Sequence, residues 1–442
     1  MMMMAALDDG FNGIPGNAGF PVIGDKSYEY YADPVDFVET KINEHQSRVF
    51  VSRILNKPTV FVGSNTVARE LLSDQTDNLE LGYKSLMGEI FGQNILFTEG
   101  PEAHNLRLLM SNLFSHGKMS NFHSKIESII QKSLGQLTNT AQIKVYEFFK
   151  RMMTEICLSV FLDLDFEEST ELASTIVNLT TTHWHGIISV PLNVKLLGMG
   201  KSTFAKAVQA RDKLIHIIEE KVQNSAKGFL KLILPSSFPT ESSIVNHLLL
   251  LTSALVPKAF ASILTSFVIG STLDLDEIES TMKNMQSSSD YLESILLETI
   301  RLWPPFAAGR RLIRKDFEVL GYKFSKGWAV MYTTYSIHRD PCIFSQPEKF
   351  IPERWMTCNK DDRDKLVAFG SGARGCVGKN FSWGIIKMTA ALLVSKYTWK
   401  LPEGQDLKYK WLPVSRPKND VIAIFQVVED QNANTAPDGD DQ

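Results

Sequence analysis

The sequence predicts a mainly α-helical protein with small β-sheets, built as one large domain, and three observations carry that prediction. From about Thr66 to Gly228 apolar residues recur at three-and-four spacing, as in "NFHSKIESIIQKSLGQL" and "VQARDKLIHIIEEKVQ", the period of an amphipathic helix. Nearer the front, "RVFVSRILNKPTVFVGS" alternates β-branched and polar residues around "NKP", which reads as two short strands and a turn. The run Ser243 to Ser271 is almost wholly apolar and reads as a long helix buried through the middle of the domain.

The chain has 442 residues, 44% of them hydrophobic and 22% charged, which is the balance of a folded globular protein. A net charge of −4 offers no basic field for nucleic acid, so none is expected as a partner. Cys157, Cys342, Cys358 and Cys376 are too few and too irregularly spaced for a disulfide framework or a zinc site, and a reducing compartment follows.

The opening "MMMMAALDDGFNGIPGNAGFPVIG" shows neither a basic n-region nor an apolar h-region. The expectation is therefore no signal peptide and no N-terminal anchor, with a cytoplasmic or peripherally membrane-associated location. Residues 1–13 are expected to be flexible, 14–428 to form the domain and the acidic 429–442 to be a disordered tail. The run Ser243 to Ser271 is apolar enough to raise a transmembrane reading. Against it, Lys258 at its centre would cost about 2.5–3.5 kcal/mol in a bilayer.

The most informative stretch is "FGSGARGCVGKN", Phe369 to Asn380. Glycines at 370, 372, 375 and 378 permit positive φ and close approach of the backbone to a flat partner. Cys376 then stands among free N–H groups just before a helix, which favours a thiolate. Arg374 aims a guanidinium at a carboxylate beside the loop. A structural cysteine in a glycine-rich turn explains the glycines but not the arginine. A planar iron macrocycle carrying propionates explains both.

This loop resembles the haem-thiolate signature of the cytochrome P450 superfamily, Phe-x-x-Gly-x-Arg-x-Cys-x-Gly, at Phe369, Gly372, Arg374, Cys376 and Gly378. "ETIRLWPP" resembles the family's Glu-x-x-Arg helix through Glu298 and Arg301, and "FIPERW" its Pro-Glu-Arg segment through Pro352, Glu353 and Arg354. Glu298 and Arg301 lie three apart on one helix face, where they can pair with each other and with Arg354. The segment from Arg310 to Pro341 reads as the strand hairpin placed after that helix.

The resemblance implies a single large haem domain holding haem b, with Cys376 as the iron ligand. "EGPEAHNLRLLMSNLF" resembles the helix that contacts the haem propionates. His104 and Arg107 are the candidates there, with Arg311 and Arg374 opposite and Phe369 and Gly370 in the loop. The family's usual tryptophan on that helix is absent, its place falling to Ala103 or His104. His338 in "HRDP" reads as a surface turn residue.

The chain departs from the family in the oxygen-activating helix, where an acid beside a threonine normally relays protons. "SALVPKAFAS" has neither, and carries Pro257 and Lys258 instead. Pro257 should kink the helix and free the carbonyl of Ser253, with Ser253, Ser262 and Thr265 as the nearest hydroxyls. Pro257 and Ser262 are accordingly candidate catalytic residues beside Cys376. Lys258 either anchors a substrate carboxylate or faces away.

The first expectation is a monooxygenase acting on a lipophilic small molecule of terpenoid, sterol, polyketide or fatty-acid type. It would be monomeric and draw electrons from an NADPH-dependent reductase or a ferredoxin. The alternatives are an isomerase, lyase or peroxygenase of the same fold that needs no reductase, and a non-enzymatic haem binder.

Overall fold

The computed structural model describes residues 13–137, 142–187, 195–196, 200–224, 227–234, 238–273, 278–357 and 360–428. The expectations for the flexible first residues and the acidic tail fall outside these residues, apart from Gly13, as does Cys358. Helices dominate, as the periodicity predicts. The helices Val145–Phe161, Leu255–Gly270, Ser289–Leu302 and Lys379–Lys396 contribute to one large apolar core.

Five strands form the main sheet, in the spatial order Val49–Ile54, Lys57–Val62, Ala329–Tyr332, Gly309–Ile313, Leu79–Leu81. The first two pair antiparallel around a two-residue turn, Leu55–Asn56, in which both residues have positive φ (53° and 55°). That geometry matches the strand twist of a tight hairpin. The turn precedes the expected "NKP" by one residue, and Pro58 lies in the second strand, opposite Arg53 and beyond the register shared with Ala329–Tyr332. A second sheet orders Tyr397–Lys400, Ile422–Val427 and Gln142–Lys144.

The helix Ser289–Leu302 starts at Ser288, whose hydroxyl accepts from the Tyr291 N–H at 3.2 Å. It stops at Trp303 (φ −125°, ψ 67°), because the ring of Pro304 disfavours helical geometry in the residue before it.

The expected long kinked helix is two helices. Glu241–Thr252 is capped by the Thr240 side chain, then Ser253 is extended (φ −61°, ψ 153°), and Leu255–Gly270 follows. Pro257 sits in the first turn of the second helix, where N–H groups have no intrahelical partner in any case. The chain breaks four residues before the proline, at the residue whose carbonyl the ring would strike in a continuous helix. Over Glu241–Gly270 the pair is long and apolar enough to cross a membrane, yet 72% of its apolar window is buried inside the protein.

Candidate functional site

The loop Phe369–Gly378 folds back on itself. The Cys376 N–H donates to the Phe369 carbonyl at 2.7 Å, and Gly375 N–H to the Gly372 carbonyl at 3.0 Å. Gly370 and Gly372 have φ of 72° and 62°. At Gly372 the requirement is also steric, since a Cβ would lie 2.3 Å from the Leu72 carbonyl oxygen on the neighbouring helix. Phe369 is half-buried and meets Trp383 edge-on.

Cys376 is exposed on a cleft of about 540 Å³, whose walls include Phe369, Gly370, Gly375 and Lys379. The crowding of the loop pushes its thiol pKa up. The Gly378 N–H, the Arg107 guanidinium and Lys379 pull it down without prevailing. A bound metal would draw the thiol proton off.

Arg107, Arg311 and Arg374 come from three separate elements and line one cavity with Leu71, Leu79 and Leu96. Arg374 donates to Thr98 O at 3.0 Å and pairs with Glu99. Among the described residues Arg107 and Arg311 bond only backbone carbonyls, of Gly375 and Arg310, and make no ion pair. Glu80 also lines the cavity, without an ion pair to any of the three. Burial, Arg374 and Arg311 all lower the Arg107 pKa. Three guanidiniums against one bonded carboxylate leave two cationic groups to receive acids. A macrocycle with two propionates, held through Cys376, fits this donor set.

His104 is exposed on the helix Gly100–Leu113 and is not among the residues lining the arginine cavity, while Ala103 is buried. Ser262 is fully buried and hydrogen-bonded. Ser415 Oγ donates to Pro304 O at 2.7 Å, so Ser262 must be the donor in the 3.1 Å Ser262–Ser415 contact. Lys258 stacks on Trp184, its ammonium 4.7 Å from the ring centre. Burial, Lys150 and Arg416 bring its pKa down to about 8.

Behind the loop, Glu298 and Arg301 are fully buried. Glu298 accepts from Arg301 Nε and Nη2 (2.8 and 2.7 Å), Arg354 Nε (3.1 Å), Ile351 N (2.8 Å) and Trp355 Nε1 (2.8 Å). His338 is not the surface residue the sequence suggested. It has no solvent exposure, bonds Arg301 O through Nδ1 at 3.2 Å and accepts the Val367 N–H at Nε2, 2.9 Å. This ties the charge network to the residue two before Phe369. Burial, with Arg301 next, takes its pKa down to about 3. Glu99 and Arg310 also escaped the sequence reading. The consecutive arginines at 310 and 311 were the available signal, because alternation in a strand must send one of them away from the cavity.

A family model described as cytochrome P450 matches residues 15–249 and 274–422. The chain belongs to the cytochrome P450 family. The match lapses over 250–273, the region of the broken helix. A putative cytochrome P450 120 of Synechocystis is 26% identical over 434 residues, covering 92% of this chain and 95% of that one. Cytochrome P450 26B1 of Xenopus tropicalis is 24% identical over 457 residues, covering 94% and 87%. Among solved structures, retinoic acid-bound cyanobacterial CYP120A1 shares the fold at TM-score 0.77 and 23% identity, covering 93% of this chain and 100% of that one. CYP152N1 with myristic acid does so at 0.73 and 17%, covering 94% and 99%. Membership of this P450 family makes the protein an oxidoreductase whose fold houses a haem.

Proposed function

We propose that residues 14–428 form a single haem domain that binds haem b through Cys376 and acts as a monooxygenase on a lipophilic small molecule. The observation that carries this reading is the pairing of an accessible cysteine, in a glycine loop, with two cationic groups left unmatched among three converging arginines. Arg107, Arg311 and Arg374 would take the propionates, and Cys376 Sγ the iron. Haem bound this way supplies the oxidative chemistry, and the protein supplies position and electronics. Glu298, Arg301, Arg354 and His338 hold the loop in register from behind. Electrons would come from an NADPH-dependent reductase or a ferredoxin. Relatives solved with retinoic acid and myristic acid are consistent with a lipophilic substrate.

A second reading, as a peroxygenase, isomerase or lyase needing no reductase, draws on one observation. The helix that carries the proton relay elsewhere in the family is split here. It has no acid–threonine pair and opens its second half with Pro257 in the first turn. The experiment that separates the two readings is turnover of one substrate with NADPH and reductase against hydrogen peroxide alone. Product that requires reductase supports the first reading, and product from peroxide alone, or with no oxidant, the second.

A further inference from the structure

The first half of the broken helix, Glu241–Thr252, is fastened to the segment that holds Arg374. His247 on that helix has no solvent exposure and bonds in two directions. Its Nε2 lies 3.0 Å from the Ile95 nitrogen and its Nδ1 2.6 Å from the Ser243 carbonyl oxygen. An amide N–H can only donate, so Nε2 is the acceptor and the proton of the neutral ring sits on Nδ1. Burial, against the bond to Ser243, holds the pKa of His247 below the ordinary histidine value and keeps the ring neutral. One residue before it, Asn246 packs so closely on Gly92 that a Cβ there would come within 2.5 Å of Asn246 Oδ1.

From Ile95 the bonds run on to the loop of Cys376. Asn94, 1% exposed, staples the turn between them. Its Oδ1 accepts the Leu96 N–H at 2.9 Å, and its carbonyl accepts the Phe97 N–H, the Thr98 N–H and Thr98 Oγ1 at 2.9, 3.0 and 2.8 Å. The Thr98 carbonyl then accepts from Arg374 Nη1 at 3.0 Å, and Glu99 pairs with Nη2. Two of the guanidinium's five N–H groups are thereby fixed, leaving three for a ligand in the arginine cavity, whose wall Ile95 shares. With Ser253 extended, no run of helical backbone bonds joins Glu241–Thr252 to Leu255–Gly270. Packing and side-chain bonds such as that of His247 therefore set where the first half stands.

We propose that His247 is a positioning residue for Arg374: the neutral ring holds the turn from Asn94 to Glu99, and the turn holds the guanidinium where a haem propionate would meet it. This rests on the reading above that Arg374 takes a propionate. It adds a link from the interrupted helix to the haem site that needs no contact between His247 and the haem.

The test compares holoprotein of the wild type with His247→Leu and with His247→Gln, which places a carbonyl oxygen near the position of Nε2. Two quantities are read: hydrogen exchange at the amides of residues 95–99, and the rate at which haem passes to an excess of apomyoglobin. His247→Leu leaves the buried Ile95 N–H without its acceptor, and both rates should rise about fivefold or more. Exchange over the hairpin Val49–Val62 should not change, because the link does not pass through it. His247→Gln should bring both rates back to within about twofold of the wild type. Should His247→Leu not accumulate as holoprotein, His247→Asn, which stays polar but is too short to reach Ile95, carries the same comparison. Unchanged exchange at 95–99, faster exchange there without faster haem loss, loosening that spreads to Val49–Val62, or a glutamine variant no better than the leucine one overturns the proposal. A wild type whose ferrous carbonyl complex lacks thiolate ligation would refute the functional reading instead, and exchange at 95–99 would still decide whether His247 holds the turn.

Discussion

Glu298→Gln is the sharpest test of how the loop is held. The two carboxylate oxygens of Glu298 accept five N–H groups: three at Oε1, from Arg301, Arg354 and Ile351, and two at Oε2, from Arg301 and Trp355. An amide of the same shape turns one oxygen into a donor, so at least two N–H groups face N–H groups. Two guanidiniums also lose their counter-charge, one of them, Arg301, in a place with no solvent. Breaking a buried pair in this way costs about 3–5 kcal/mol, a large share of the ~5–15 kcal/mol that holds a domain together. The damage should fall on the haem site, because the segment bonded to Glu298 reaches Val367 through Arg301 and His338. Purified Glu298→Gln should carry far less haem per protein than the wild type and melt several degrees lower. Full haem loading with a melting point within about 2 °C of wild type would refute the reasoning.

Cys376→Ala should abolish the thiolate signature of the ferrous carbonyl complex, whereas Cys157→Ala and Cys342→Ala should leave it intact; the opposite pattern would remove the loop from the site. His338 is neutral in the fold, with a pKa of about 3 against 6.5 in the unfolded chain. The unfolded state binds the extra proton between those values, so stability is unaffected above pH 6.5 and falls on acidification, by about 2 kcal/mol at pH 5. His338→Gln should show a smaller loss in denaturant midpoint between pH 7.5 and pH 5 than the wild type, and an equal loss would contradict the assignment. Pro257→Ala should change stability by less than about 1 kcal/mol, not the ~3 kcal/mol of an interior proline, because its missing N–H falls in a first turn. A large gain in melting temperature would mean that the two helices fuse.

Much of the fold was legible because its signals are local. The three-and-four spacing marks the helices, and the alternation around "NKP" marks the first hairpin, within a residue of its turn. The loop at Cys376 was legible for a different reason: glycine at 372 is required by an atom of the adjoining helix, and that requirement is written into the sequence. What could not be read was burial at long range. His338 and Arg310 look like ordinary polar residues in "SIHRDP" and "GRRLI", and only the sheet and the returning loop enclose them.

The broken helix carries the most consequence for chemistry. An uninterrupted apolar run and a single proline suggested a kink, since nothing in "LTSALVPKAF" shows that the turn before Pro257 is unwound. Once Ser253 is extended, three hydroxyls that looked equivalent become distinct. Ser262 donates to Ser415, which donates to Pro304, so its hydrogen bond holds this helix against the C-terminal segment. Thr265 and Ser253 are buried with unpartnered oxygens, and Thr265 lies mid-helix, more than two turns past the break. Ser253 sits at the break itself, its N–H bonded to Leu250 O and its hydroxyl unpaired. Ser262 could take part in a relay only by giving up its bond to Ser415, whereas Ser253 has no such bond to break. On the reading proposed above, a reaction that consumes protons at this helix would draw most directly on Ser253, a water held there or the substrate's own hydroxyl, and a reaction started by peroxide or by rearrangement would have less need of any of them.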